Sequence, residues 1–247
     1  MKLPDMKFLG LTVAAFLILA VLWQTGTINL PPKLAYGLRL LQFKITQPGK
    51  VAGQTIVKLP GQFDKQDYSL SCEIATLKMA LAVYGIAVSE DELIDRLPFD
   101  ETPKSKGVWG DPDKGFVGRI DGQMPQNGYG VYAGPIAELA SNWKRAEIIT
   151  DGSVEQLATH LLAGRPIIVW GFYGRGNKLS WKTPAGKDIK AINGEHTRLV
   201  VGFSGDASGP DGFHLIDPQF GPMYWSSKKF VKNWEALGKM GVVIYAD

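Results

Sequence analysis

Cys72 is the only cysteine in the chain, and it stands where a thiol could be made into a nucleophile. The residues from Cys72 to Tyr84 are mostly good helix formers, with Ile74, Leu77, Leu81 and Tyr84 recurring as one apolar stripe. Ser71 fits the N-cap, and Gly85 stands where a helix ends in a left-handed residue. Cys72 is therefore expected in the first turn. There, free backbone N–H groups and the positive end of the helix dipole favour a thiolate over a thiol. Position alone leaves a second reading equally open, a small buried hydrophobe.

A thiolate nucleophile needs a base to hold and return a proton, and three histidines are available. His160 falls inside a helix predicted over 154–163, and His214 lies among apolar neighbours in a predicted strand. His196 follows Asn193-Gly194-Glu195 and opens a strand, at the edge of a turn where a fixed imidazole can be presented. It ranks first. Asp217 ends another strand and could orient that imidazole if the two strands pair antiparallel; Asp217-Pro218 equally reads as the start of a turn. Gln66, six residues before Cys72, is an uncharged amide within reach of the helix start, a donor for an oxyanion beside the Cys72 N–H. Glu73 is expected to point away, since adjacent helix positions diverge by about 100°.

The elements that must position these groups are legible in outline. Ser89 and Glu92 form a capping-box pattern with Val88 and Leu93 as a hydrophobic staple, predicting a helix to about Arg96. Residues 99–134 are long, glycine-rich and aromatic, with little periodicity; such a stretch is either functional or an excursion covering the core. A short helix is predicted over 135–143, a strand over 146–150, and a helix capped by Ser153 that stops at Gly164. Strands are predicted over 166–172, 197–203, 213–217 and 241–245, with a helix over 228–235. Helices dominate the first half and antiparallel-looking strands the second, an α+β arrangement. Trp109, Phe116, Tyr129, Trp170 and Trp181 could line a groove, although aromatics so placed are more often core.

At the start, Phe8 to Trp23 is a run without charge, preceded by Lys2 and Lys7 and ending on a tryptophan suited to a membrane interface. A signal-anchor over 1–24 is the first expectation, a cleaved signal peptide the second, followed by a linker over 25–59 and a domain over 60–247. This expects the globular part outside the cytoplasm, tethered at the cell membrane, or secreted if the segment is cleaved. The formal charge of +3 is small and its basic residues scattered, which argues against nucleic acid as a partner. One cysteine allows no internal disulfide, and one cysteine with three scattered histidines has no structural-zinc spacing, so neither a metal nor a cofactor is expected.

Gln66, then Ser71-Cys72-Glu73, then Gly194-Glu195-His196-Thr197, then Ile216-Asp217-Pro218 resembles the C39-like branch of the papain-like cysteine peptidases. Gly115-Phe116-Val117-Gly118 and Gly128-Tyr129-Gly130-Val131-Tyr132 are similar to that group as well, and the resemblance covers residues 60 to 247. It implies a papain-like fold, with a helical half carrying Cys72 packed on an antiparallel sheet carrying His196 and Asp217. It also implies Cys72 as nucleophile, His196 as general base and acid, Asp217 as orienter and Gln66 as oxyanion donor, acting on a peptide. Two departures limit it: Glu73 stands where true papains have an aromatic, and no transporter or ATP-binding motif is present. An inert peptide-binding module and a thioester-based acyltransferase are the competing expectations.

Overall fold

A computed structural model describes residues 56–247. The predicted anchor and nearly all of the linker lie outside these residues. Among the described residues no helix is long and apolar enough to cross a membrane.

The centre of the fold is β9 (Glu195–Asp206), a strand whose residues are buried from Glu195 to Gly205. Around it a seven-stranded sheet runs in the order β11 (Gly221–Ser226), β10 (Gly209–Asp217), β9, β6 (Ile167–Phe172), β12 (Gly241–Ile244) and β5 (Ala146–Ile149). β1 (Ile56–Lys58) adds to β9 beside β6, and every pairing in this sheet is antiparallel. Successive side chains on a strand point to opposite faces, and the core divides accordingly. Leu199, Val201, Ile168 and Trp170 join the core that includes α1 (Cys72–Ala82) and α3 (Ala133–Ala140). Val200, Phe203, Ile167 and Val169 join a second core with α4 (Val154–Leu162) and α5 (Ser227–Trp234). The α+β expectation holds, and helices cover both faces rather than one.

The predicted caps are largely as expected. Ser89 accepts from the Glu92 N–H at the start of α2 (Glu90–Ile94), and Ser153 from the Gln156 N–H at the start of α4. Gly85 and Gly164 adopt the left-handed φ values of +76° and +75°. Ser71 differs: it stands at the N-cap of α1, but its hydroxyl donates to Glu90 Oε2 at 2.6 Å and leaves the helix uncapped by its side chain. α1 is also more deeply placed than a single stripe implies, with nine of its eleven residues buried.

The aperiodic stretch 99–134 holds a small sheet: β2 (Phe99–Asp100), β3 (Phe116–Gly118) and β4 (Gly128–Gly130). A separate hairpin joins β7 (Lys178–Lys182) to β8 (Asp188–Ile192). Trp109, Phe116, Tyr129, Trp170 and Trp181 are all buried and belong to the core; Tyr129 also borders one small cavity, and Trp109 and Trp181 another.

Candidate active site

Cys72 is the first residue of α1, and the helix is held against β9 at that end. Thr76 Oγ1 donates to the Cys72 carbonyl at 2.7 Å and lies 3.0 Å from Thr197 Oγ1. Thr197 has the same parity on β9 as Leu199 and Val201, so it faces α1. His196 and Arg198 have the opposite parity and meet β10. There Ile216 pairs with Leu199, which brings the next residue, Asp217, to both of them. His196 Nε2 lies 2.9 Å from Asp217 Oδ1, and Arg198 Nε lies 2.8 Å from Asp217 Oδ2. Asp217 Oδ1 also accepts the N–H groups of Gln219 and Phe220 at 2.9 and 3.2 Å. The same oxygen therefore contacts both the turn after β10 and the histidine.

Gln66, Cys72 and His196 line one small cavity, together with Tyr129, Tyr173 and Glu195. The space inside is about 10 Å³, room for roughly one water. Cys72 is 5% exposed and His196 1%. Gln66 is present but turned: its Nε2 donates to the carbonyls of Tyr68 at 2.7 Å and Ser69 at 3.1 Å, so both amide protons are committed to the lead-in loop. The Tyr173 ring packs edge-on to the His196 imidazole, with centroids 5.5 Å apart.

Glu73 does not point away. Its side chain folds back over the first turn, so that the Cys72 thiol donates to Glu73 Oε2 at 3.2 Å and the Val131 N–H donates to Glu73 Oε1 at 2.7 Å. The 100° divergence of helix positions describes Cβ directions; a side chain with three rotatable bonds can return when a backbone donor waits for it. Glu195 stands opposite, 2% exposed, with neither carboxyl oxygen hydrogen-bonded. The Cys72 sulphur and one oxygen each of Glu73 and Glu195 lie within 4.8 Å of one another. Among the described residues this is the one group of donors that could hold a metal ion.

These neighbours set the resting charge state. Burial first, then the carboxyls of Glu73 and Glu195, push the thiol well above its ordinary value, against the Thr197 N–H, which lowers it. Burial likewise lowers the His196 imidazole, with Asp217 opposing. Both shifts disfavour the charged forms, so burial opposes the thiolate expected from the helix terminus. A helix terminus contributes about 0.3–1 kcal/mol, which the desolvation of a buried sulphur beside two carboxyls outweighs. Burial also raises Glu73 to about 7 and Glu195 well above the carboxylate range, and the nearby Glu73 raises Glu195 further. At neutral pH the pair retains at least one proton.

Sequence reasoning named Cys72, His196, Asp217 and Gln66, and all four reach the site. It assigned no role to Arg198, Glu195, Tyr173 or Thr76. Period-two parity from His196 was a usable signal for Arg198, and from Thr197 for Glu195; Tyr173 carried none.

Residues 56–242 match the model of the Peptidase_C39 like family. The chain belongs to that family. A protein of Bacillus subtilis (strain 168), the uncharacterized protein YvpB, is 29% identical over 197 residues, which is 76% of this chain and 74% of that one. The crystal structure of a candidate C39-like peptidase from Bacillus anthracis superposes with a TM-score of 0.67 at 26% identity, covering 77% of this chain and 98% of the other. The peptidase domain of Streptococcus ComA, a bifunctional ABC transporter, is far more distant, with a TM-score of 0.46 and 15% identity over 74% of this chain and 96% of that one.

Proposed function

We propose that this chain is a cysteine peptidase or amide hydrolase that cleaves a peptide by thioester acyl transfer, held at the membrane by the segment Phe8 to Trp23 with its globular part outside the cytoplasm. The observation that carries the catalytic reading is the 2.9 Å contact of His196 with Asp217, in a cavity shared with a cysteine at a helix N-terminus. Asp217 holds the imidazole through Nε2, which leaves Nδ1 for the reacting proton.

Since burial disfavours both the thiolate and the imidazolium, attack and proton transfer go together in this reading. Cys72 Sγ bonds to the substrate carbonyl carbon while its proton passes to His196. The carbonyl electron pair becomes an oxyanion beside the Cys72 N–H and Gln66, whose amide gives up one of its loop contacts to donate. His196 then protonates the leaving amine as the C–N bond breaks. Water, deprotonated by His196, attacks the thioester, and the sulphur leaves and recovers its proton. The closed cavity requires substrate to displace part of the wall, and Tyr173, 42% exposed while lining the cavity, is the side chain placed to move.

The test is mass spectrometry of a degenerate peptide library incubated with the full chain in detergent. New termini with wild type and none with Cys72→Ala are expected. Gln66→Ala should lose on the order of 10²–10³ in rate, the usual cost of one oxyanion donor. Intact library with wild type, together with Cys72 labelling by iodoacetamide that His196→Ala leaves unchanged, would replace the peptidase reading by the inert binding module. Products heavier by an added amine rather than by water would identify an acyltransferase.

A further inference from the structure

Beside the closed catalytic cavity lies an open cleft of about 440 Å³, within the range of ligand sites. The two share Tyr173, and catalytic Asp217 lies in the cleft wall. One side of the cleft is aromatic: Tyr173 (42% exposed), Phe220 (64% exposed) and the half-buried Trp225. The other side is cationic: Arg198, Lys229 and Lys232. Single exposed aromatics need no explanation, but exposed rings grouped around cations on a wall of the active site do.

The charges in the cleft do not cancel. Arg198 and Asp217 pair with each other, and Asp217 is further committed to His196. Lys229 and Lys232 are exposed and have no carboxylate within ion-pair distance among the described residues. Lys229 Nζ instead rests 4.3 Å from the centre of the Trp225 ring, and the Arg198 guanidinium lies 4.5 Å from it. The two cations and the partly exposed ring thus form one mixed aromatic and cationic wall. Below it, Asn233 is locked by Phe172: its Nδ2 donates to the Phe172 carbonyl at 2.8 Å and its Oδ1 accepts the Phe172 N–H at 3.2 Å. Asn233 is thus tied to β6, and among the described residues the two lysines on α5 have no partner of opposite charge.

We propose that this cleft is a substrate subsite for a peptide segment that places a glutamate or aspartate side chain against Lys229 and Lys232, with a large apolar side chain on the Phe220–Trp225 wall. The net positive charge selects the acidic group. The exposure of Phe220 and Tyr173 leaves room for the chain to run on in both directions, which fits an internal side chain rather than a terminal carboxylate. That the occupant is a peptide rests on the function proposed above; the charge and shape of the cleft do not.

The experiment separates the two. The full chain carrying Cys72→Ala, in detergent, is titrated by fluorescence anisotropy with three labelled synthetic peptides. One is amidated and carries two glutamates beside a phenylalanine; one is the same with glutamines; one carries the glutamines and a free C-terminal carboxylate. The glutamate peptide should bind about tenfold tighter than its amidated glutamine partner. The difference should shrink as salt rises from roughly 0.05 to 0.5 M, where the Debye length falls below about 5 Å. Lys229→Glu with Lys232→Glu should abolish the preference, and Lys229→Gln with Lys232→Gln should reduce it, while Cys72 labelling in the otherwise wild-type background stays unchanged. Equal binding of the two amidated peptides, or a preference that survives charge reversal, overturns the subsite. Binding of the free-carboxylate peptide as tight as the glutamate peptide overturns the assignment to an internal side chain. Because no turnover is required, failure of the library cleavage leaves these outcomes readable.

Discussion

Asp217 and Glu195 are both buried carboxyls beside one cavity, and they are in opposite states. Burial alone would raise Asp217, but His196, Arg198 and the Gln219 N–H together hold it below the ordinary carboxylate value. Glu195 has no hydrogen bond, and its neighbour is a second carboxyl, so burial and Glu73 both raise it. Depth is the same; company differs. One side of the site is built to carry a fixed negative charge under the imidazole, and the other to keep a proton next to the thiol. The opposed environments push the titration of these groups apart, as in sites that need an acid and a base at one pH.

The comparison is broken most directly at Asp217. Asp217→Ala leaves Arg198 and His196 buried without their acceptor and should cost about 3–5 kcal/mol, read from urea unfolding; a loss under about 1 kcal/mol would mean that the ion pair is not holding β10 to β9. Gly130 comes next, since a Cβ there would sit 2.5 Å from Glu73 Oε1 and 2.6 Å from Glu195 Oε2, on a backbone with φ of +147°. Gly130→Ala should cost roughly 2–3 kcal/mol through clash and strain and should separate the two carboxyls.

The third test uses pH. Glu73 is raised from 4.5 to about 7 in the folded protein. The unfolded chain therefore loses this proton from about pH 4.5 upward while the folded one keeps it until about 7. Stability contributed by the protonated form is full below pH 4.5 and is lost as pH rises through 7. Glu195, raised by burial and by Glu73, adds to the same fall, so Glu195→Gln should flatten it, gaining about 1–2 kcal/mol over wild type at pH 8 relative to pH 4, in thermal melts. A parallel pair of pH profiles would deny that Glu195 titrates above the ordinary carboxylate range. The smallest effect sharpens the same point at the nucleophile. Glu73→Gln removes a charge from beside the thiol, so iodoacetamide labelling of Cys72 should extend about one pH unit lower, a roughly tenfold gain in rate below pH 8; an unmoved profile would leave burial as the whole cause.

What could be read from sequence follows the same division. Cys72, His196 and Asp217 were legible because their chemistry is carried by residue type and by local position, at a helix start, a strand start and a strand end. Ser89 and Ser153 were legible because a cap is decided within four residues. Glu73 was misread because its partner, the Val131 N–H, is 58 residues away and no local rule points to it. For Arg198 and Glu195 the parity of β9 gave a face but not the partner that α1 and β10 bring. The small sheet went unread because two- and three-residue strands have no period. The β7–β8 hairpin did carry a signal: Leu179 and Trp181, then Ile189 and Ala191, alternate across a Pro184–Gly186 turn.

The strand order has a consequence for the time at which the site comes into being. β12 lies between β6 and β5, so the sheet under α1 is not closed until residues 241–244 have been made, long after Cys72. At about 5–20 residues per second of synthesis, the thiol waits roughly 10–30 s for β9, Asp217 and the final central strand. Throughout that interval a nascent chain has a cysteine but no ordered imidazole–carboxylate pair to work with it. For the peptidase proposed above, the order of translation thus holds back assembly of the reacting groups until the chain is nearly complete.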